Sequence, residues 1–130
     1  AETPFLGSFH AAEIQSVQFP TLTVAGIGAG NATQLGKFTM TYAAEVNLLT
    51  RVGIGSVEFV AANGDRLCAD ILGQSTLTGT PNVVSIVETL TITGGTGRFA
   101  NATGSLISVR LLNQVTGDTS GSYDGTIVTP

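Results

Sequence analysis

Glu88 is the residue of this 130-residue chain best placed to do chemistry. It falls in an alternating run, Val83–Thr93, on the face that also carries Val84, Ile86, Leu90 and Ile92, the face such a strand buries. An ionised carboxylate there is costly unless paired, and otherwise its pKa rises. Arg110 is the expected partner. It lies on the next run, Ser105–Gln114, across a tight corner, twelve residues after Arg98 where Glu88 is ten before it. Antiparallel pairing puts the two side chains at about the same depth. Two uses stay open: a structural ion pair that fixes register, or a polar anchor or acid/base site, with Glu88 and Arg110 as its catalytic candidates, facing a cavity. A bulge in the run would instead turn Glu88 to water.

Phe38, Met40 and Tyr42 share one face of a third run, Lys37–Leu48. With Leu90 they are either core or the wall of a ligand cavity, with the Tyr42 phenol available as a donor. His10 is the sole histidine. In an extended strand Glu13 points to the opposite face from it, so the two cannot share a metal, and no metal site is expected. One cysteine, Cys68, excludes an internal disulfide and a Cys-based zinc cluster. It lies on the side of Arg66 and Asp70, while Leu67, Ala69 and Ile71 form the core face; with no His or Lys nearby in sequence it reads as inert. No Ser-His-Asp arrangement is present as a motif.

The corner itself, Thr93–Gly104, contains Gly95-x-Gly97-x-x-Ala100 after a strand, a superficial match to the dinucleotide fingerprint. That chemistry needs a helix whose N-terminus meets the pyrophosphate. Asn101, Thr103 and Gly104 follow within one turn and no βαβ unit fits, so the stretch reads as a strand-to-strand corner plugged by Phe99.

Such side chains need a scaffold of strands. No window shows apolar residues at helical spacing without Gly or Thr interrupting. Extended runs recur instead: Phe5–Gln15, ending near Phe19-Pro20; Leu22–Gly28; Lys37–Leu48; Gly55–Ala62, with Val57, Phe59 and Ala61 inward; Arg66–Thr78; Val83–Thr93; Ser105–Gln114; and Thr119–Val128. Asn63-Gly64 predicts a type I′ hairpin with both residues at positive φ. Gly26, Gly28 and Gly30 predict a kink or a crowded approach. Eight strands joined mainly by short turns predict one all-β domain over residues 1–130, an eight-stranded antiparallel up-and-down barrel, closure removing two exposed edges. The run Ser105–Gln114 is apolar both ways, Ile107, Val109 and Leu111 against Leu106 and Leu112. It should be covered on both faces, which points to a homo-oligomer (dimer or trimer) or a terminal segment outside it.

Three motifs carry a resemblance. Gly94-Gly95-Thr96-Gly97-Arg98-Phe99, followed by Ala102-x-Gly104, resembles the glycine corner of the allene oxide cyclase and dirigent barrels. With the Asn63-Gly64-Asp65 hairpin and Ser120-Gly121-Ser122-Tyr123-Asp124-Gly125, it is more similar still to small exported bacterial barrel proteins without an assigned role. The motifs span about the C-terminal two-thirds of the chain and belong to the fold. The resemblance implies a calycin-like barrel with an apolar cavity, often trimeric, in which confinement orients a reactive hydrophobic molecule. The catalytic pattern of neither named family is present, so their activity does not carry over.

Charged residues make up 11 % of the chain against a usual ~25 %. Net charge is −4, the five basic residues are scattered, and Trp is absent, which argues against nucleic-acid binding. No apolar run approaches a membrane helix. The opening Ala1-Glu2-Thr3-Pro4 fits a mature end left by signal-peptidase cleavage, as it would a trimmed chain. With the Lys-poor, Thr/Ser/Gly-rich composition, it sets the expectation of a secreted or periplasmic protein. The functional expectation is binding of a small hydrophobic ligand, without a cofactor. The alternatives are a cofactor-independent cyclase or isomerase acting by confinement, and a structural or oligomeric protein with a filled barrel.

Overall fold

The computed structural model describes residues 2–130. Eight strands follow one another: β1 (Glu2–Gln18), β2 (Thr21–Ala32), β3 (Gly36–Asn47), β4 (Val52–Ala61), β5 (Arg66–Leu77), β6 (Val83–Gly95), β7 (Thr103–Asn113) and β8 (Asp118–Val128). Each pairs antiparallel with its neighbours in sequence, and β8 returns to β1, closing an up-and-down barrel. The alternation read from sequence sets the inner faces: Phe38, Met40 and Tyr42 on β3, Val57, Phe59 and Ala61 on β4, Leu67, Ala69 and Ile71 on β5, and Val84, Ile86, Leu90 and Ile92 on β6.

The glycines of β2 do not end the strand at Gly28 as the sequence suggested; pairing continues to Ala32. They make room. Gly26, Gly28 and Gly30 lie opposite Tyr42, Met40 and Phe38. A Cβ on Gly26 would sit 2.2 Å from Cζ of Tyr42. Tyr42 lies over Gly26 and Phe38 over Gly30, while at Gly28 the close neighbours are Ala11 and His10 of β1, which makes the crowded approach the right reading.

One end of the barrel is packed and capped. Phe59 belongs to an aromatic group, its ring centroid 6.3 Å from Phe5, 5.3 Å from Phe38 and 5.4 Å from Tyr123, the ring that meets all the others. Phe9 stacks on Tyr123 at 4.7 Å. The turns at this end tuck Leu35, Phe99 and Ala102 inside. Phe99 arrives on a single 3-10 turn, Gly97–Phe99, and is the plug the sequence implied. The guanidinium of Arg98 donates to the Gln34 carbonyl and pairs with Asp65 at 3.7 Å, tying three turns together. Gly97 has φ +58, and a Cβ there would come within 2.1 Å of Asp65 Oδ1, so the glycine corner and the Asn-Gly-Asp hairpin act as one cap.

That hairpin differs from the type I′ turn expected. Gly64 has positive φ but Asn63 does not. The Gly64 N–H donates to Ala61 O at 2.9 Å and the Ala61 N–H to Asp65 O at 2.8 Å, the three-residue loop in which a left-handed glycine follows a type I turn. The extra residue lets Asp65 reach the Arg98 N–H at 3.4 Å.

The other end is open. Its turns hold no fully buried side chain, Leu48 packing half-buried against the core, and below them Val84, Ile86 and Leu112 form a small separate apolar cluster. On the outside, Ile107, Val109 and Leu111 of β7 are exposed, so within one chain that strand is covered on its inner face alone.

Candidate functional site

The open end leads into a cup of about 60 Å3. Its walls are mostly apolar, with Leu22, Val46, Ile71 and Val84 among them and Arg51 and Gln114 as polar members, and its floor is ionic, made by Glu13, Glu88 and Arg110. Arg110 is the hub. Its Nε donates to Glu88 Oε1 at 3.1 Å and Nη2 to Glu88 Oε2 at 3.4 Å. Nη1 donates to Glu13 Oε1 at 3.0 Å and to Thr119 Oγ1 at 3.1 Å. Glu13 also accepts from the Tyr42 hydroxyl at 2.7 Å and from Gln15 Nε2 at 2.8 Å.

Strand parity aims all of these inward. Glu88 faces Ser108 across the β6–β7 ladder and Arg110 faces Ile86. The pair is therefore one diagonal step apart rather than level, a gap long side chains span. No bulge lies between Val83 and Ile92, so Glu88 keeps its inward parity. On the other flank β5 presents Gly73, where a Cβ would lie 2.9 Å from Glu88 Cγ; glycine there leaves the carboxylate its space.

The floor holds two carboxylates and one guanidinium, and Arg51 also lines the cup, so the lining as a whole is formally neutral. Glu13 is the deeper, its side chain 1 % exposed against 12 % for Glu88. Glu88 is the carboxylate that meets the cup. Burial disfavours the charge on Arg110, but the fields of Glu88, Tyr42 and Glu13 outweigh it and hold the guanidinium pKa above its ordinary value. Burial lifts Tyr42 well above the usual phenol range; Arg110 opposes this, and Glu13 adds to it by its charge and its hydrogen bond. Tyr123 is raised by burial first and then by Glu88.

These shifts set a pH dependence. A group whose folded pKa is raised stabilises the fold fully below its unfolded pKa, about 10 for tyrosine, and loses that contribution as pH rises above it. Urea midpoints should hold between pH 8 and 9 as far as the tyrosines are concerned. Above pH 10 they should fall, by up to about 1.4 kcal/mol per pH unit for each tyrosine. Tyr42→Phe should flatten that fall; an unchanged slope would rule out Tyr42 as a source.

The other expected ligand residues do not surround a chamber. Phe38 belongs to the aromatic group. The Met40 sulfur accepts from the Tyr123 hydroxyl at 3.3 Å. Between Met40, Tyr42, Leu90 and their neighbours about 10 Å3 remains, room for one water. The apolar cavity expected among Phe38, Met40, Tyr42 and Leu90 is thus filled by those side chains, because Gly26 and Gly30 let Tyr42 and Phe38 fold across the bore. Solvent-connected space lies nearer the open end, beside Glu88 and Arg110.

Glu13 is the member sequence reasoning missed. The signal was present: Phe5, Phe9 and Ala11 share its parity on β1 and are buried with it. His10 points outward from the same strand. Cys68 is on the outer face, its thiol pKa raised by burial and by Glu58, as an unreactive cysteine should be. Ser108, fully buried beneath Arg110, is the one buried side-chain polar group without a hydrogen-bond partner among the described residues. No cluster of three or more metal-ligating side chains occurs among the described residues, and no helix there is long and apolar enough to cross a membrane.

Comparison with protein-family models, with curated proteins and with solved structures finds no match to this chain. The fold and the site define a class, a closed eight-stranded antiparallel barrel with a capped end and an ionic-floored cup at the other.

Proposed function

We propose that the protein binds a small, largely apolar ligand in this cup, through a cationic or donor-rich head group that meets Glu88. The observation that carries the reading is the Glu88 carboxylate, which shares Arg110 with Glu13 and is the one of the two that meets the cup. Ion clusters shielded from water add little stability over apolar packing of the same volume, so one placed where solvent-connected space begins marks a candidate site. About 60 Å3 is far below the 300–1,000 Å3 of pockets that enclose a drug-sized molecule. The ligand would put a few heavy atoms inside and extend through the mouth.

Glu88→Gln is a clean probe, because it leaves Glu13 and Arg110 as a balanced pair. Calorimetric titration with protonated n-alkylamines and matched n-alcohols should show roughly tenfold tighter binding of the amines, about 1.4 kcal/mol. Glu88→Gln should erase that preference while the protein stays folded. Equal affinity for both series would sink the cationic-head reading. No binding of either would leave the rival reading, a structural barrel without a ligand, which the filled aromatic end favours.

The reading includes self-association. Val87 and Val109 pair across β6 and β7, and Ile107, Leu111 and Leu72 extend the outward apolar strip. That strip supports a homo-oligomer, which native mass spectrometry would count.

A further inference from the structure

The two ends of the barrel treat the apolar residues of their turns in opposite ways. At the capped end, Leu35, Phe99 and Ala102 are folded inside. At the open end each connection has a large apolar side chain exposed in or beside it: Phe19 is 71 % exposed, Leu49 71 % and Val115 73 % in three turns, Leu77, the last residue of β5, is 70 % exposed, and Val17 stands beside Phe19, while Leu48 packs half-buried against the core. Single apolar side chains on the outer wall, Ile14 and Ile27 among them, are as exposed and are ordinary; these four differ in recurring at every connection of one rim.

The same turns are almost free of charge. Residues 17–22, 47–52, 77–83 and 113–118 contain one Arg and one Asp, Arg51 and Asp118. The opposite end carries Asp65, Arg66 and Arg98 in its turns. The tips also ring an opening rather than a plateau, and inside it the apolar surface continues down the cup through Leu22, Val46, Val84 and Leu112. A rigid protein partner would meet four tips around a hole. A fluid acyl layer closes around each tip and stays continuous with the apolar wall. The chain's charge of −4 offers no attraction to anionic headgroups, whereas a near-neutral rim suits a zwitterionic surface.

We propose that the open end docks on a lipid surface of low net charge, inserting Phe19, Leu49, Leu77 and Val115 to the depth of the headgroup–acyl boundary. The barrel then stands with its mouth against the lipid, and the cup opens onto the acyl phase. This does not require the cup to bind anything.

The test is flotation of the whole chain with phosphatidylcholine vesicles. The protein should float, and as well in 1 M as in 0.1 M salt. Phe19→Ser with Leu49→Ser should cut the bound fraction at least tenfold, and Leu77→Ser with Val115→Ser likewise. These side chains are exposed, three in turns and Leu77 at the end of β5, so circular dichroism and melting should be unchanged. Ile27→Ser on the outer wall of β2 should float normally, as should Glu88→Gln, which separates this proposal from ligand binding. Absence of flotation, or equal loss with Ile27→Ser, overturns it. So does a dimer in sedimentation velocity that the rim substitutions dissociate without vesicle binding, since a second copy would then be the occupant.

Discussion

Arg110→Leu should lower stability by about 3–5 kcal/mol, the usual cost of removing one partner from a buried ionic cluster. The substitution strands Glu13, whose side chain is 1 % exposed, and Glu88 within the barrel with no cation between them. It also takes the donors from Thr119 and both carboxylates at once. Urea denaturation at pH 7 measures the loss. A further result separates charge from packing. Adding Glu13→Gln and Glu88→Gln to Arg110→Leu should restore most of the stability, because the stranded groups are then neutral. A cost under about 1 kcal/mol for Arg110→Leu alone would mean that water already solvates the cluster.

Phe59→Ala should cost as much by another route, about 3–5 kcal/mol through lost burial and an unfilled cavity. Phe59 is fully buried and contacts three rings of the capped end, from β1, β3 and β8. The closed ladder around it limits how far the site can collapse. The amine preference of the cup should survive, because the cup is lined from the other half of the bore. Loss of that preference in a folded Phe59→Ala protein would mean that the two halves are one cooperative unit.

The strands were legible because period-two alternation survives in nearly every run, and Glu88 and Arg110 could be paired by counting around the corner. The diagonal offset could not be read, since it depends on how the corner takes up residues between Ile92 and Gly104. The location of the open space was misjudged for a physical reason. Alternation tells which side chains face inward but not whether a facing glycine lets them lie across the bore, as Gly26 does for Tyr42. Glu13 is legible by parity with Phe9 and Ala11, but its partner Arg110 is 97 residues away and no local pattern shows that pairing. The Asn63-Gly64 turn was placed correctly and typed wrongly: dipeptide preference does not see that Asp65 is needed by Arg98.

Seven of the eight strand pairs are hairpins between neighbours in sequence, and the eighth joins Phe5 to Gly125. Local pairing is fast, while a contact across almost the whole chain carries the largest loop-closure entropy. The β1–β8 seam therefore closes late and opens early, and until it closes both strands offer bare edges to another molecule. Two interior contacts clamp that region once closure occurs: Phe9 stacked on Tyr123, and Glu13 paired with Arg110, 97 residues away in sequence. The ionic floor of the cup is thus also the fastening of the barrel's slowest joint, and amide exchange along β1 will report when it lets go.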